Sequence, residues 1–257
     1  MKRVVLIFFV LIFELLAVTS CQKGDEDRVQ SLVELAYSNG GYVKFEYDKQ
    51  NRITKIIQTI DSLNDAFDTL TITYNGNDIV KFRLDYRFNH YDVYEVNKNG
   101  NQITATRNDG YFFLFDLNND GYPVRWEDNR GTKERTTVYT YQYQSGNVLK
   151  FETGSPEEPL SFEYKYDKNK SPFYYSKTPK WFMFWHLTGY IGYTAMGGQN
   201  NVTEVTHTTS YGSDGKYIGE TEFIYEYIYE YDDARFPTQC TTKDNNGNEI
   251  IIIYEYK

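Results

Sequence analysis

The chain lacks the residue patterns that mark the common catalytic sites. Its three histidines, His90, His186 and His207, form no H-E-x-x-H motif, and Cys21 and Cys240 are far apart, so the pattern of a zinc enzyme is missing. It also has no G-x-S-x-G motif, no P-loop and no dinucleotide-binding glycine motif. We therefore expect no catalytic residues, no metal and no cofactor.

Basic runs and flexible linkers are also missing. Lysine and arginine total 27 against 36 aspartates and glutamates, which gives a formal net charge of −9. An acidic surface repels nucleic acid, and no run of basic residues overcomes this repulsion, so nucleic acid is excluded as a partner. The length suits one β domain as well as two small domains, but no linker rich in proline, glycine and serine divides the chain, so we expect one folded domain.

The first twenty residues have the order of a secretory signal peptide. Lys2 and Arg3 precede an apolar stretch, residues 4–18, that only Glu14 interrupts. A membrane-spanning helix needs about 20 apolar residues, which is longer than the uncharged run here. We predict that residues 1–20 are a cleaved signal peptide.

Residues 16–21 read Leu-Ala-Val-Thr-Ser-Cys and resemble a bacterial lipobox, which implies acylation of Cys21 and a firm membrane anchor. The alternative is an ordinary thiol beside a cleaved signal. The acidic residues 22–27 resemble the export tag of Bacteroidota lipoproteins, although a solvated tether would have the same composition. We predict a lipid-anchored protein of the outer membrane, exposed at the cell surface. With Cys21 acylated, Cys240 has no partner for an intramolecular disulfide.

A short segment after the tether has helical spacing. Val29, Leu32, Val33 and Ala36 recur at intervals of three and four residues. We therefore predict an acylated tether and a short helix over residues 21–40, followed by a single β domain over residues 41–257.

The β domain is predicted from an alternation of apolar and polar residues. Val43, Phe45 and Tyr47 share one face while Lys44 and Glu46 take the other, as in a half-buried strand. Similar runs recur along the chain between turns rich in asparagine, aspartate and glycine, which tolerate the positive φ of tight hairpins. The pattern predicts an all-β fold, a large antiparallel up-and-down meander that is strongly curved or barrel-like.

The repeated unit resembles two known groups of proteins. Its aromatic-x-Tyr-Asp core resembles the tyrosine–aspartate repeats of extracellular shell proteins. More closely, the lipobox, the strand–turn unit and residues 169–173 and 200–203 are similar to a family of Bacteroidota lipoproteins of unknown function with a porin-like fold. The similarity covers nearly all of residues 40–257, although Ser171 stands where the family has asparagine. It implies a large curved antiparallel sheet approaching a barrel, and no activity.

The strand faces opposite the tyrosines are charged. They carry Lys44, Glu46, Glu163, Lys165 and Glu226, whereas a lipid-facing band must be apolar. We therefore expect a sheet whose outer face is in water rather than an integral porin.

One turn matches the calcium-loop expression D-x-[DN]-x-[DN]-G-x₅-E. Asp116, Asn118, Asp120, Gly121 and Glu127 occupy its positions, where oxygen ligands would surround the ion. The flanking residues alternate like strands rather than helices, so a plain hairpin turn is the preferred interpretation. A surface calcium site is the alternative.

An aromatic segment interrupts the alternation at residues 181–193. Trp181, Trp185, Tyr190 and Tyr193 are candidate ligand-binding residues, because flat aromatic surfaces bind sugars and peptides. The alternative is a segment buried on both sides that plugs or lines the interior of the sheet.

These observations favour a surface-anchored, non-enzymatic binding or structural module. Its expected partners are the membrane, through the anchor, and a glycan or protein ligand. The alternative is an accessory glycan-degrading enzyme or glycan-binding protein that uses residues 181–193. A glycosidase needs only two carboxylates at a suitable separation, which a sequence does not reveal.

Overall fold

The computed structural model describes residues 31–59, 67–86, 90–129, 136–154, 159–189, 198–211 and 217–257. Cys21 and the predicted signal peptide lie outside the described residues, as do Tyr190 and Tyr193. The described residues form sixteen strands and one helix, α1 (Lys180–Gly189). The strands are β1 (Leu32–Tyr37), β2 (Tyr42–Tyr47), β3 (Ile53–Thr59), β4 (Phe67–Asn75), β5 (Asp78–Tyr86), β6 (His90–Asn99), β7 (Gln102–Arg107), β8 (Phe112–Leu117), β9 (Pro123–Asn129), β10 (Thr136–Gln144), β11 (Asn147–Gly154), β12 (Pro159–Lys170), β13 (Asn200–Tyr211), β14 (Tyr217–Tyr231), β15 (Pro237–Lys243) and β16 (Glu249–Tyr256).

The strands form one closed antiparallel barrel. Each strand pairs with its neighbours in sequence, and β1 pairs with β16 to close the ring. At that seam Leu35 lies opposite Tyr254 and Ala36 lies opposite Ile253. The prediction of an all-β up-and-down meander is confirmed, and its curvature is sufficient for full closure. Closure pairs the edges that an open sheet would leave free.

Alternation along each strand decides which side chains face the interior. On β2, Val43 and Phe45 are buried, whereas Lys44 between them is exposed. The turns use residues that tolerate a left-handed backbone, as at Asn51 with φ of 61° and Gly121 with φ of 81°. The period of two in the sequence therefore becomes an apolar inner face and a polar outer face.

The interior lining differs between two parts of the wall. Strands β1–β5 contribute mainly aliphatic side chains, and we call this part the aliphatic arc. Strands β10–β16 contribute mainly tyrosines, and we call this part the tyrosine arc. The aliphatic arc includes Leu32, Leu35, Val43, Ile53, Ile56, Leu70, Ile72, Ile79 and Leu84. The tyrosine arc includes Tyr139, Tyr141, Tyr143, Tyr164, Tyr166, Tyr225, Tyr227, Tyr229, Tyr254 and Tyr256.

Helix α1 lies inside the barrel. Five consecutive apolar side chains from Trp181 to Trp185 are buried, because a helix that is apolar all round has to be covered on every side. The Trp185 ring centroid lies 5.3 Å from that of Phe82 on β5 and 5.0 Å from that of Phe113 on β8. On another face of the helix, the Phe184 ring lies 5.3 Å from that of Tyr143. The helix therefore packs directly on the inner wall.

The prediction of a short helix within residues 21–40 needs correction. The helix predicted near residues 28–37 is not formed over the described part of that range, where residues 32–37 are strand β1. A bulge between Leu32 and Glu34 shifts the register, so that Leu32 and Leu35 both face inward. This shift imitates helical spacing. The barrel therefore begins at Leu32 rather than at residue 41. No helix in the described part of the chain is long and apolar enough to cross a membrane.

The outer wall carries cross-strand ion pairs. Lys44 Nζ lies 3.1 Å from Glu34 Oε2, and Lys165 Nζ lies 2.6 Å from Glu204 Oε1 on another part of the barrel. Similar pairs join Lys81 to Glu95 and Lys243 to Glu249, each at 2.8 Å. An exposed apolar group, Ile228, Ile251 and Ile253, lies among these charges on β14 and β16.

Candidate functional site at the plugged mouth of the barrel

The two ends of the barrel differ in what covers them. Because neighbouring strands are antiparallel, every second connection lies at the same end. One end carries the β2–β3, β4–β5, β6–β7 and β8–β9 turns and the long β12–β13 connection. We call this end the plug-side rim. That connection contains helix α1, so the chain enters and leaves the interior through this rim.

Residues 171–179, which we call the strap, cross the mouth at the plug-side rim. At one end the Ser171 N–H donates to the Gln199 carbonyl at 3.0 Å, beside β13. At the other end the Ile53 N–H donates to Thr178 Oγ1 at 2.8 Å, and Asn51 Nδ2 donates to the Tyr175 carbonyl at 2.9 Å. Strands β3 and β13 lie on opposite sides of the ring, so the strap spans the opening.

Residues 169–173 and 200–203, the two stretches quoted for the family resemblance, meet where the β12–β13 connection begins and ends. Asn201 Nδ2 donates to the Lys170 carbonyl at 3.1 Å, and Asn200 Nδ2 donates to the Asn169 carbonyl at 3.0 Å. Asn147 Oδ1 accepts from the N–H of Asn200 at 3.0 Å and from the N–H of Gln199 at 2.8 Å. These amide side chains join the outgoing and returning chain segments.

Asp167 is the charged centre of this junction. Its carboxylate accepts from the N–H groups of Asn169 and Asn201, at 3.0 and 3.1 Å, and from the Tyr231 hydroxyl. Burial raises the pKa of Tyr231, and the neighbouring carboxylate raises it further. The role of Asp167 could not be predicted from the sequence, because its partners on β13 and β14 are distant in sequence. The junction holds the plug in place and offers no reactive group.

A cavity of about 500 Å³ opens between the strap and the neighbouring turns. Asp78 and Lys98 face each other on one wall, with Lys98 Nζ 2.8 Å from Asp78 Oδ1. Lys177 and Lys180 also line the cavity, and we call this part of its lining the lysine wall; within the described residues their ammonium groups have no hydrogen bond or ion pair. Tyr174, which is 38 % exposed, lines the cavity as well. This size suits a small polar ligand.

The charge on the lysine wall is incompletely balanced. Burial lowers the pKa of Lys180, and the charge of Lys177 lowers it further. Helix α1 begins at Lys180 with no acidic residue in its first turn. A helix N-terminus carries a partial positive charge, which adds to that of the lysines. This wall is therefore locally positive in an acidic protein.

Trp181 and Trp185 are buried, as in the alternative interpretation of the aromatic segment, in which it is covered on both sides. Trp181 and Trp185 are 4 % and 2 % exposed, so neither ring presents a face to solvent as a ligand platform requires. Trp181 packs on Phe115, with ring centroids 5.0 Å apart, and also borders the cavity. Burial also lowers the pKa of the neighbouring His186 to about 3, so this side chain is neutral near pH 7.

Comparison with known proteins adds little to this geometry. No protein-family model matches the chain, and no curated protein matches it. Among solved structures, the chain is similar to a porin-like protein from Bacteroides uniformis, with 12 % identity and a TM-score of 0.43 over 91 % of this chain and 99 % of that one. It is also similar to a porin-like protein from Bacteroides vulgatus, with 11 % identity and a TM-score of 0.45 over 88 % and 99 % of the two chains.

The turn that matches the calcium-loop expression is a hairpin in which other groups already engage its oxygens. Asn118 Oδ1 accepts from the N–H groups of Asp120 and Tyr122, each at 3.0 Å. Arg125 reaches Asp116 at 3.4 Å and also pairs with Glu127. Among the described residues, no group of three or more His, Cys, Asp or Glu side chains is arranged to hold a metal. This geometry favours the hairpin interpretation.

A second cavity, of about 420 Å³, lies at the opposite rim beside His90 and Asn108. Its charges are paired with one another, since Arg107 lies 2.8 Å from Asp92 and 2.6 Å from Asp109. Hydrogen bonding to Arg107 lowers the pKa of Asp109 to about 2. The plug-side cavity is the better candidate, because its lysine wall has charge left to recognise a ligand.

Proposed function

We propose that the chain is a lipid-anchored, non-enzymatic binding or structural module at the surface of the outer membrane. The main support for a non-enzymatic function is that the interior of the barrel is filled. Helix α1 and the inward-facing rings occupy the space that a barrel of this kind would use as a channel or a deep active site. Ligand recognition is thereby restricted to the rims and the outer wall.

The outer wall supports a barrel that stands in water. Its cross-strand ion pairs, such as Lys44 with Glu34 and Lys165 with Glu204, would lie in hydrocarbon if the wall faced lipid. Charged side chains at such positions are strongly unfavourable in a membrane barrel. We therefore infer that attachment comes from the acyl chains on Cys21 and not from the strands.

The entry point of the tether fits this arrangement. Ser31 is held at the plug-side rim, where its N–H donates to the Lys257 carbonyl at 3.3 Å and its hydroxyl donates to Asn51 Oδ1 at 2.5 Å. The residues between Cys21 and Ser31 reach at most about 35 Å when fully extended. An anchor at Cys21 would therefore keep the plug-side rim within that distance of the membrane.

Replacing Cys21 with serine tests the anchor. We expect the wild type to incorporate a fatty-acid analogue and to fractionate with membranes, whereas Cys21→Ser carries no label. Cys240→Ser, which changes the buried cysteine, is the matched control and should keep the label. Label that persists on Cys21→Ser would overturn the anchor.

The alternative of a glycan-degrading or glycan-binding protein stays a prediction. Burial of Trp181 and Trp185 removes the observation that favoured it in the sequence.

A further inference from the structure

The plug-side cavity collects more positive than negative side chains in a chain that is acidic as a whole. Lys98 has its carboxylate partner Asp78 at 2.8 Å. Lys177 and Lys180 line the cavity without such partners in the described part of the chain. Asp120 also lines the cavity, so the five charged side chains leave one positive charge in excess, which an anion would balance.

The backbone holds both lysines firmly. The Lys177 N–H donates to the Asn51 carbonyl at 2.9 Å, and the adjacent Thr178 side chain is buried and accepts from Ile53. Lys180 begins helix α1, which is fixed by the packing of Trp181 and Trp185. The backbone of both lysines is therefore fixed, and only their flexible side chains have to be ordered when an anion binds.

The electrostatics also favour an anion. Half-burial takes Lys180 partly out of water, and Lys177 adds like-charge repulsion, which together lower the pKa of Lys180. An anion between the two ammonium groups would offset both costs. The first turn of α1 would add the favourable interaction that helix N-termini make with phosphate groups.

We propose that the plug-side cavity binds a phosphate group carried by a small polar molecule, with Lys177 and Lys180 as its cationic contacts. Tyr174 also lines the cavity and is 38 % exposed, so its ring is available to contact the remainder of the ligand. The phosphate has two sources, a soluble phosphorylated molecule or the headgroup of a nearby phospholipid. This site extends the binding role proposed above, and its location within reach of the anchor rests on that proposal.

The test measures the melting temperature of the acylated protein in detergent as inorganic phosphate or glycerol phosphate is added, with sodium chloride matched for ionic strength. A ligand that binds only the folded state should raise the melting temperature by roughly 2–4 °C near saturation. The doubly substituted variant Lys177→Gln, Lys180→Gln should fold normally and lose this rise. Lys49→Gln, an exposed lysine of the same rim that does not line the cavity, should keep it.

Reconstitution separates the two sources. If the headgroup is the ligand, vesicles of phosphatidylcholine with phosphatidylglycerol should raise the melting temperature above that in phosphatidylcholine alone, and the double variant should remove the difference. A rise with soluble glycerol phosphate and none between vesicles assigns a soluble ligand. No rise with any probe, or equal loss in Lys49→Gln, would overturn the site. Neither result bears on the anchor, which is judged by the fatty-acid label.

Discussion

The aliphatic arc and the tyrosine arc build one barrel interior in different ways. Leu35, Ile56 and Leu70 in the aliphatic arc have no side-chain polar atoms to satisfy and contribute through burial alone. Tyr141 and Tyr143 in the tyrosine arc add hydroxyls that need partners. Trp126 Nε1 donates to the Tyr141 hydroxyl at 2.9 Å, and the Tyr143 hydroxyl donates to the Pro123 carbonyl at 2.6 Å.

This difference has consequences for specificity and for pH. A shift of one residue would turn the buried side chains of either arc to the outer face, and in the tyrosine arc it would also separate hydroxyls such as that of Tyr143 from their hydrogen-bond partners. The tyrosine arc therefore helps to fix the register of the sheet, whereas the aliphatic arc supplies stability that does not depend on the ionisation of its side chains.

Alkaline pH should destabilise the tyrosine arc and produce the largest decrease in the free energy of unfolding. Burial raises the pKa of Tyr143, Tyr229 and Tyr254 well above its usual value of about 10. Because the folded state holds these protons more tightly, stability is unchanged below pH 10 and falls as pH rises towards the folded-state values. Each pH unit above 10 costs about 1.4 kcal/mol for every tyrosine that stays protonated.

The measurement is the free energy of unfolding from pH 9 to pH 12, recorded together with tyrosinate absorbance. Tyr229→Phe should make the decline shallower, and Tyr91→Phe, which changes a tyrosine that is 53 % exposed, should leave it unchanged. Complete tyrosinate formation near pH 10 in a folded protein would contradict the prediction.

Trp185→Ala should produce the next largest effect, because it removes the contacts of helix α1 with Phe82 on β5 and Phe113 on β8. Removing a fully buried tryptophan loses transfer free energy and leaves a cavity, at a cost of about 3–5 kcal/mol. Urea unfolding measures this loss, and Ile228→Ala on the exposed outer wall is the control, expected within about 0.5 kcal/mol of the wild type. A Trp185→Ala protein as stable as the wild type would show that the ring is not part of the core.

Tyr141→Phe should produce a smaller effect than Trp185→Ala and sharpens the comparison between the arcs. The ring stays in place, but the indole N–H of Trp126 loses its acceptor at a buried position, which costs about 1–3 kcal/mol. Ile56→Val in the aliphatic arc removes only a methylene, at about 0.5–1.5 kcal/mol. Chemical denaturation of both variants compares them, and a Tyr141→Phe protein more stable than Ile56→Val would count against the importance of the hydroxyl.

Much of the wall was predictable from the sequence, because each hairpin is a local feature. Alternation on β2 and the asparagine and glycine turns placed Val43 and Phe45 inside before any pairing was known. Closure was not predictable with certainty, since β1 and β16 share no local signal. The bulge near Leu32 gives β1 a spacing like that of a helix, so the prediction of a helix there was wrong. Helix α1 is apolar on all sides, so its sequence shows no helical period from which it could be predicted.

The candidate site was predictable only in part. The break in alternation correctly marked the segment around Trp181 as unusual, and residues 169–173 and 200–203 proved to be its points of departure and return. The cavity itself depends on Lys177 and Lys180 meeting the turn that contains Asp78, which is almost a hundred residues earlier in the chain. This proximity follows from the order of the strands around the ring, and a single sequence contains no local pattern that predicts it.

The pairing of β1 with β16 sets a constraint on when the molecule can fold. Leu35 meets Tyr254 only after almost the entire chain is available, so the ring stays open at two hydrogen-bonding edges during synthesis. Contacts so distant in sequence form slowly, because a long loop has to close before they add stability. A chain that ends before Glu249 would keep both edges exposed, and exposed edges pair readily with other chains. Completion of the final strand therefore separates a closed barrel from an aggregation-prone intermediate.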